Sequence, residues 1–195
     1  NTPGEIVNLI AFSKDKNIFT YNVGLGRENT TSKLFLSPAN EGASASLLKP
    51  SGHLKYHPEI IFEDTENIEI CLYDDFDLND VNFLNIDIQG YELEALKGSE
   101  NSLKKYIEYI CIEISREEMY EDGVLKNQLD SYLKDFEFIR VSTRWASSKI
   151  PWGDAFYIKK VKVNTYKKIL TVVNKFFEDF KFYYLFIDPY RKFIS

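Results

Sequence analysis

Histidine, cysteine and tryptophan are scarce in this sequence, with only two of each in 195 residues. Cys71 and Cys111 each sit inside an apolar, strand-like run, and neither lies at metal-ligand spacing from the other or from His53 and His57. Both thiols are therefore expected as buried packing residues in a reducing compartment. Long apolar runs are missing as well. No stretch approaches the roughly 18 apolar residues that a membrane span needs. No basic, apolar, small-residue leader opens the sequence as given, which makes the cytoplasm the expected location. Positive charge is in deficit, and a net charge of −6 argues against nucleic-acid binding by the chain as a whole. A phosphate-cradling glycine loop is lacking too. Gly24-Leu25-Gly26 comes nearest, but a polar stretch and then another strand follow it, where such a loop needs a helix N-terminus. It reads as a turn.

What is present is a domain-sized chain, 44% hydrophobic and 28% charged, with fifteen Phe and thirteen Tyr. Its charge is unevenly spread. From Lys159 onward there are 9 Lys and Arg against 3 Asp and Glu, whereas the first 158 residues hold 15 against 27. The stretch that organises the rest is Phe83-Leu84-Asn85-Ile86-Asp87-Ile88-Gln89-Gly90-Tyr91-Glu92-Leu93-Glu94-Ala95-Leu96-Lys97-Gly98. An apolar run ends in a carboxylate, a glycine and a second carboxylate, and apolar residues at helical spacing follow until Gly98 stops them. This pattern predicts a buried strand, a tight turn and a helix. In open α/β sheets ligands sit at such a junction, at the carboxyl end of a strand. The plainer reading is that Asp87 and Glu92 only cap the helix.

Around this stretch the pattern predicts a capped helix from Thr2 to about Ser13, then strands at Asn17–Val23, Lys33–Ser37 and Ile68–Tyr73. Asn40–Leu48 is small and polar, then apolar, and suits a segment lying against a ligand. A loop at Pro50–Pro58 holds both histidines. Tyr106–Ser115 reads as a strand with Glu113 near its end. Leu125, Leu129, Tyr132, Leu133 and Phe136 share one helical face, and Phe138–Thr143 and Ala155–Lys160 close the chain as strands. Alternating strands and helices after residue 82 imply a mostly parallel sheet with one antiparallel member near an edge.

These residues resemble the FkbM-type methyltransferase family over about Asn1 to Lys160. The likeness rests on Asn22-Val23-Gly24-Leu25-Gly26, on Gly42-Ala43-Ser44-Ala45-Ser46-Leu47, and above all on the Asp-x-Gln-Gly-x-Glu-Leu-x-x-Leu-Lys-Gly pattern from Asp87 to Gly98. Ile112-Glu113-Ile114 and Trp152-Gly153-Asp154-Ala155-Phe156-Tyr157-Ile158-Lys159 add to it. The resemblance implies a Rossmann-like class I α/β fold with strand order 3-2-1-4-5-7-6. It implies S-adenosylmethionine (AdoMet) as methyl donor, and O-methylation of a sugar or glycan-like hydroxyl. The family's opening strand, glycine-rich loop and ribose-binding acidic residue have no counterpart here. Asn1-Thr2-Pro3 resembles the segment just beyond them, so the N-terminal strands 1 and 2 are expected to be missing and the sheet to be split at its centre.

Methyl transfer to oxygen needs an acceptor held in near-attack geometry and a group to take its proton. The candidates are Asp87, Glu92 and Glu113 as carboxylates, with His57 as an alternative base. Asn22, Ser44, Ala45, Ser46, Asp87, Gln89 and Gly90 are the candidate cofactor-lining residues. Trp145 and Trp152 are candidates for stacking on a sugar ring, or else they cover the core edge. No set has metal-ligand spacing in sequence and no metal is assigned, although Asp87, Glu92 and Glu113 are the carboxylates a divalent ion would gather. The competing reading is a truncated, non-catalytic methyltransferase-fold domain kept for binding a partner. A glycosyl-transferring protein would need a nucleotide-diphosphate site, for which Asp75-Phe76-Asp77 is a formal match in a charged run. Residues 161–195 form a basic tail outside the resemblance. In it, Tyr166, Ile169, Leu170, Val173, Phe176, Phe177 and Phe180 predict one apolar helical stripe. Its own sheet, a second copy of the chain or an anionic membrane surface would each cover that stripe. Without a glycine-rich loop, this 195-residue chain alone is expected to bind AdoMet weakly or not at all. Calorimetry checks this, and micromolar affinity would contradict it.

Overall fold

The structure is a computed structural model that describes residues 19, 21–62, 65–165 and 167. The helix expected from Thr2 to Ser13 and the whole of the tail stripe lie outside these residues. The described chain is mixed α/β. Its strands are β1 (Gly24–Leu25), β2 (Thr30–Phe35), β3 (Thr65–Cys71), β4 (Phe83–Ile86), β5 (Tyr109–Ser115), β6 (Phe138–Trp145) and β7 (Trp152–Lys159). Its α-helices are α1 (His53–Tyr56), α2 (Glu92–Lys97), α3 (Glu100–Lys105) and α4 (Lys126–Asp135).

Two sheets form among the described residues. One is β1-β3-β2, with β1 parallel and β2 antiparallel to β3. The other is β4-β5-β7-β6, in which β4 and β5 run parallel and β7 runs antiparallel to both of its neighbours. The second order coincides with the last four strands that the family resemblance implies.

The four-stranded sheet owes its one-sided core to strict alternation. In β5, Ile110, Ile112 and Ile114 are buried, whereas Tyr109, Cys111, Glu113 and Ser115 point to the other, half-open face. Leu84 and Ile86 of β4 join the isoleucines, and α2, α3 and α4 cover them with Leu96, Leu103, Leu129 and Leu133. Each such side chain contributes about 1.5–3 kcal/mol by burial. Gln128 fixes the start of α4 by accepting the Leu125 N–H through its side chain at 2.7 Å. Asp74, in the charged run that formally resembled a nucleotide-diphosphate motif, caps α3 instead. Its carboxylate accepts the N–H groups of Asn101 (2.8 Å) and Ser102 (3.0 Å).

Several expectations are corrected. Residues 21–23 are not strand, and Gly24-Leu25 pairs with Ile70-Cys71 where a turn was expected. The missing Cβ allows this, because a Cβ on Gly24 would stand 2.7 Å from Ile70 Cδ1. The histidine-bearing loop holds the short helix α1. Cys71 and Cys111 are half-buried, since both lie on strand faces that the helices leave uncovered.

Gly98 stops α2, but not for conformational reasons. Its φ of −76° is open to any residue. A Cβ there would stand 1.9 Å from the Gly26 carbonyl oxygen, so the glycine lets α2 meet the three-stranded sheet backbone to backbone. The Asp74 N–H to Gly98 carbonyl bond (3.1 Å) holds the same junction. Helix propensity alone favours Gly98→Ala by about 1 kcal/mol. Overpacking against a fixed backbone opposes it by about 1–3 kcal/mol or more. We expect the steric cost to win and the variant to melt at a lower temperature; an unchanged or raised Tm would contradict the close packing.

Candidate functional site

The turn between β4 and α2 is held in an unusual conformation. Gln89 (φ 56°) and Gly90 (φ 98°) are successive left-handed residues, a conformation that costs a non-glycine residue on the order of 1 kcal/mol or more. The neighbours enforce it. Glu92 turns its Oε1 back to accept the N–H groups of Ile88 (3.2 Å) and Gly90 (3.0 Å). Ser46 Oγ donates to the Gln89 carbonyl at 2.7 Å, and the Gly90 carbonyl accepts the Val124 N–H at 3.1 Å. Glu92 is only 2% exposed, so it is not a solvated first-turn glutamate. Nor does Asp87 cap the helix: its Oδ1 accepts the Gln89 side-chain N–H instead.

Asp87, Glu92 and Glu113 each place a carboxylate oxygen within 4.8 Å of the others. Asp87 follows the last residue of β4, Glu113 lies on the uncovered face of neighbouring β5, and Glu92 opens α2. The Gln89 amide threads between two of them. Its Nε2 donates to Asp87 Oδ1 at 2.6 Å and lies 3.4 Å from Glu113 Oε2, while its Oε1 accepts the Tyr120 hydroxyl at 2.9 Å. Tyr120 thereby orients the amide with its nitrogen toward the acids. Burial, reinforced by the charges of Asp87 and Glu92, pushes the Glu113 carboxyl up to about 9. Glu113 is thus protonated at neutral pH and hydrogen-bonds to Asp87. Burial also raises Glu92, opposed by its backbone N–H bonds. It likewise raises Tyr120, whose phenol stays protonated. A divalent cation could use the same three carboxylates. In this geometry the Gln89 nitrogen already lies between Asp87 and Glu113, and one Glu92 oxygen is committed to the turn.

Two cavities flank Gln89. One, of about 290 Å³, has Glu92, Glu113, His53, His57, Tyr120 and Trp152 in its wall. The other, of about 210 Å³, is lined by Asp87 and by small residues including Gly24, Gly42, Ala43, Ala45 and Ser46. Among the described residues, neither wall contains Lys or Arg. Both volumes fall just below the usual range for small-molecule sites.

The family profile described as Methyltransferase FkbM domain matches residues 4–140. The chain belongs to the FkbM methyltransferase family. No curated protein and no solved structure matches it significantly. Within this FkbM domain the structure brings most of the sequence candidates together. Asp87, Glu92, Glu113, Gln89 and Gly90 form the acidic turn, while Ser44 lines the larger cavity and Ala45 and Ser46 line the smaller. His57 lines the larger cavity but bonds to Glu59 at 2.9 Å. Trp152 lines it too, 5.4 Å from the His57 ring. Trp145 lines neither cavity; the Arg116 guanidinium stacks on it at 3.6 Å. Asn22 is exposed and lines neither.

Sequence reasoning passed over Tyr120, His53 and Asn40. Tyr120 lies in the run Glu117-Glu118-Met119-Tyr120-Glu121-Asp122, which looks like a solvated loop. The apolar Met119-Tyr120 pair inside it was the available signal. The Met119 carbonyl receives the N–H groups of Ser51 (3.1 Å) and His53 (2.9 Å), and this docks α1 over the cavity.

Glu113 offers a direct pH test. Its folded pKa of about 9 lies above its unfolded value of 4.5, so the folded state holds the proton more tightly. The stability it confers is complete below the unfolded value and is lost as pH rises through about 9. Glu113→Gln mimics the protonated acid. Its melting temperature should fall less than that of the wild type between about pH 5 and pH 9, with a gain of about 1–3 kcal/mol at the alkaline end. Parallel profiles would contradict the assignment.

Proposed function

We propose that this FkbM domain serves AdoMet-dependent O-methylation of a sugar or glycan-like hydroxyl in the protein expressed from its whole reading frame. The observation that carries the reading is the acidic turn, placed at the carboxyl ends of two parallel strands, between two cavities whose walls, among the described residues, hold no Lys or Arg. That setting suits a cationic donor on chemical grounds, because a sulfonium is favoured beside carboxylates. The smaller cavity, walled by glycine, alanine and serine, admits close approach to backbone. AdoMet, when bound, supplies the electrophilic methyl group; Asp87, Gln89 and the 42–46 segment are the residues that would hold it.

The chain's own groups divide the remaining work. Asp87, exposed at the strand tip and held at Oδ1 by Gln89, takes the acceptor's hydroxyl proton and releases it to solvent. Glu113, whose carboxyl pKa is raised by burial, is assigned as a proton-bearing partner of Asp87 and not as the base. It donates a hydrogen bond that keeps Asp87 in place. Glu92 fixes the turn from beneath, and the Tyr120 hydroxyl fixes Gln89. The Trp152 ring and the two histidines give the larger cavity the aromatic wall that a sugar ring packs against.

Asp87→Asn and Glu92→Gln, in protein expressed from the whole reading frame, are each expected to lower methyl transfer by about tenfold or more, with unchanged circular dichroism. Labelled methyl transfer from AdoMet to a panel of glycosides measures it. Wild-type rates in both variants would contradict Asp87 as the base and the turn held by Glu92 as what positions it.

A further inference from the structure

The larger cavity has a second polar corner, away from the acidic turn. Asn40 Nδ2 donates to Ser44 Oγ at 2.8 Å, and His53 Nε2 lies 3.1 Å from the same oxygen. A hydroxyl has one proton. It also has two lone pairs, and we assign the arrangement that uses its proton as well: Asn40 donates to Ser44 Oγ, Ser44 gives its proton to His53 Nε2, and His53 carries its own proton on Nδ1. Burial and the neighbouring His57 lower the His53 pKa, consistent with a neutral ring. His53 is only 6% exposed, and its Nδ1 is buried without a hydrogen-bond partner, as is Asn40 Oδ1. Both residues line the cavity. One orphan is a donor and the other an acceptor, and leaving each unpaired costs about 1–3 kcal/mol.

We propose that Asn40, Ser44 and His53 form a binding subsite for a hydroxyl-bearing ring, with the His53 Nδ1–H donating to one ring oxygen and Asn40 Oδ1 accepting from a ring hydroxyl. A hydroxyl both donates and accepts, so a polyol satisfies the two orphans together, which a simple anion or cation does not. The rings of Tyr120 (5.7 Å) and Phe62 (5.6 Å) confine the His53 imidazole, so it is presented in one orientation. In this arrangement His53 is a positioning group and not a base. The ring belongs either to the acceptor sugar or to the ribose of the donor. Assigning it to the acceptor rests on the function proposed above, whereas the subsite itself does not.

Saturation-transfer NMR with a panel of methyl glycosides, and calorimetry with S-adenosylhomocysteine, separate these sources. His53→Gln retains a partner for Ser44 but loses the Nδ1 donor; Asn40→Ala removes the acceptor from the other side and serves if His53→Gln fails to fold. Either variant is expected to weaken glycoside binding about tenfold, the equivalent of one hydrogen bond. In turnover it should raise acceptor KM without altering the pH profile of kcat. Selective weakening of S-adenosylhomocysteine binding would place the donor's ribose in the corner and retain the subsite. Glycoside binding lost in the variants of an inactive wild type would support the subsite while sinking the transferase reading. Equal affinities in wild type and both variants, or no binding of either probe by wild type, would overturn the proposal.

Discussion

Three carboxylates crowded at one strand edge set the terms for the rest of this molecule. Each like-charged pair at about 5 Å repels by on the order of 3–4 kcal/mol at an effective dielectric near 20. Such a cluster persists only if something else neutralises it. Here three devices do so together. Glu113 keeps its proton, the Gln89 amide nitrogen sits between Glu113 and Asp87, and Glu92 collects two backbone N–H groups. The left-handed turn at Gln89-Gly90 follows from the second and third, since only that backbone path brings the amide up and the N–H groups down.

The fold serves the cluster from both sides. Alternation in β5 puts isoleucines under the helices and Glu113 on the opposite face, so a single strand builds core and site at once. Gly98, by its lack of a side chain, seats α2 against the sheet whose Gly24 and Leu25 line the smaller cavity beside Asp87. Tyr120 and α1, docked through the Met119 carbonyl, wall the larger one. The acidic cluster therefore lies between two chambers: one side is lined by small residues, the other by aromatic and hydrogen-bonding ones.

Much of this was legible in the sequence because it is local. The strand–turn–helix from Phe83 to Gly98, the role of Gly90 and the placement of Glu113 all follow from spacing within short windows. The strand at Gly24-Leu25 was not legible, since its pairing depends on Ile70 more than forty residues away. His53 and Tyr120 escaped for a similar reason. Each sits in a polar loop, and only the contact between the segments around Pro50 and Met119 makes them part of a cavity wall. Asp87 and Glu92 looked equally suited to capping a helix; in the structure Glu92 is buried and holds the turn before α2 through the Ile88 and Gly90 N–H groups.

A carboxyl-carbon NMR titration of the protein, with Glu113 assigned through the Glu113→Gln variant, tests the shared-proton cluster most directly. The arrangement predicts that Glu113 is protonated at neutral pH and titrates near 9. Titration of Glu113 in the ordinary glutamate range, near 4.5, would show three ionised carboxylates or a cation among them, and would contradict the account of this site.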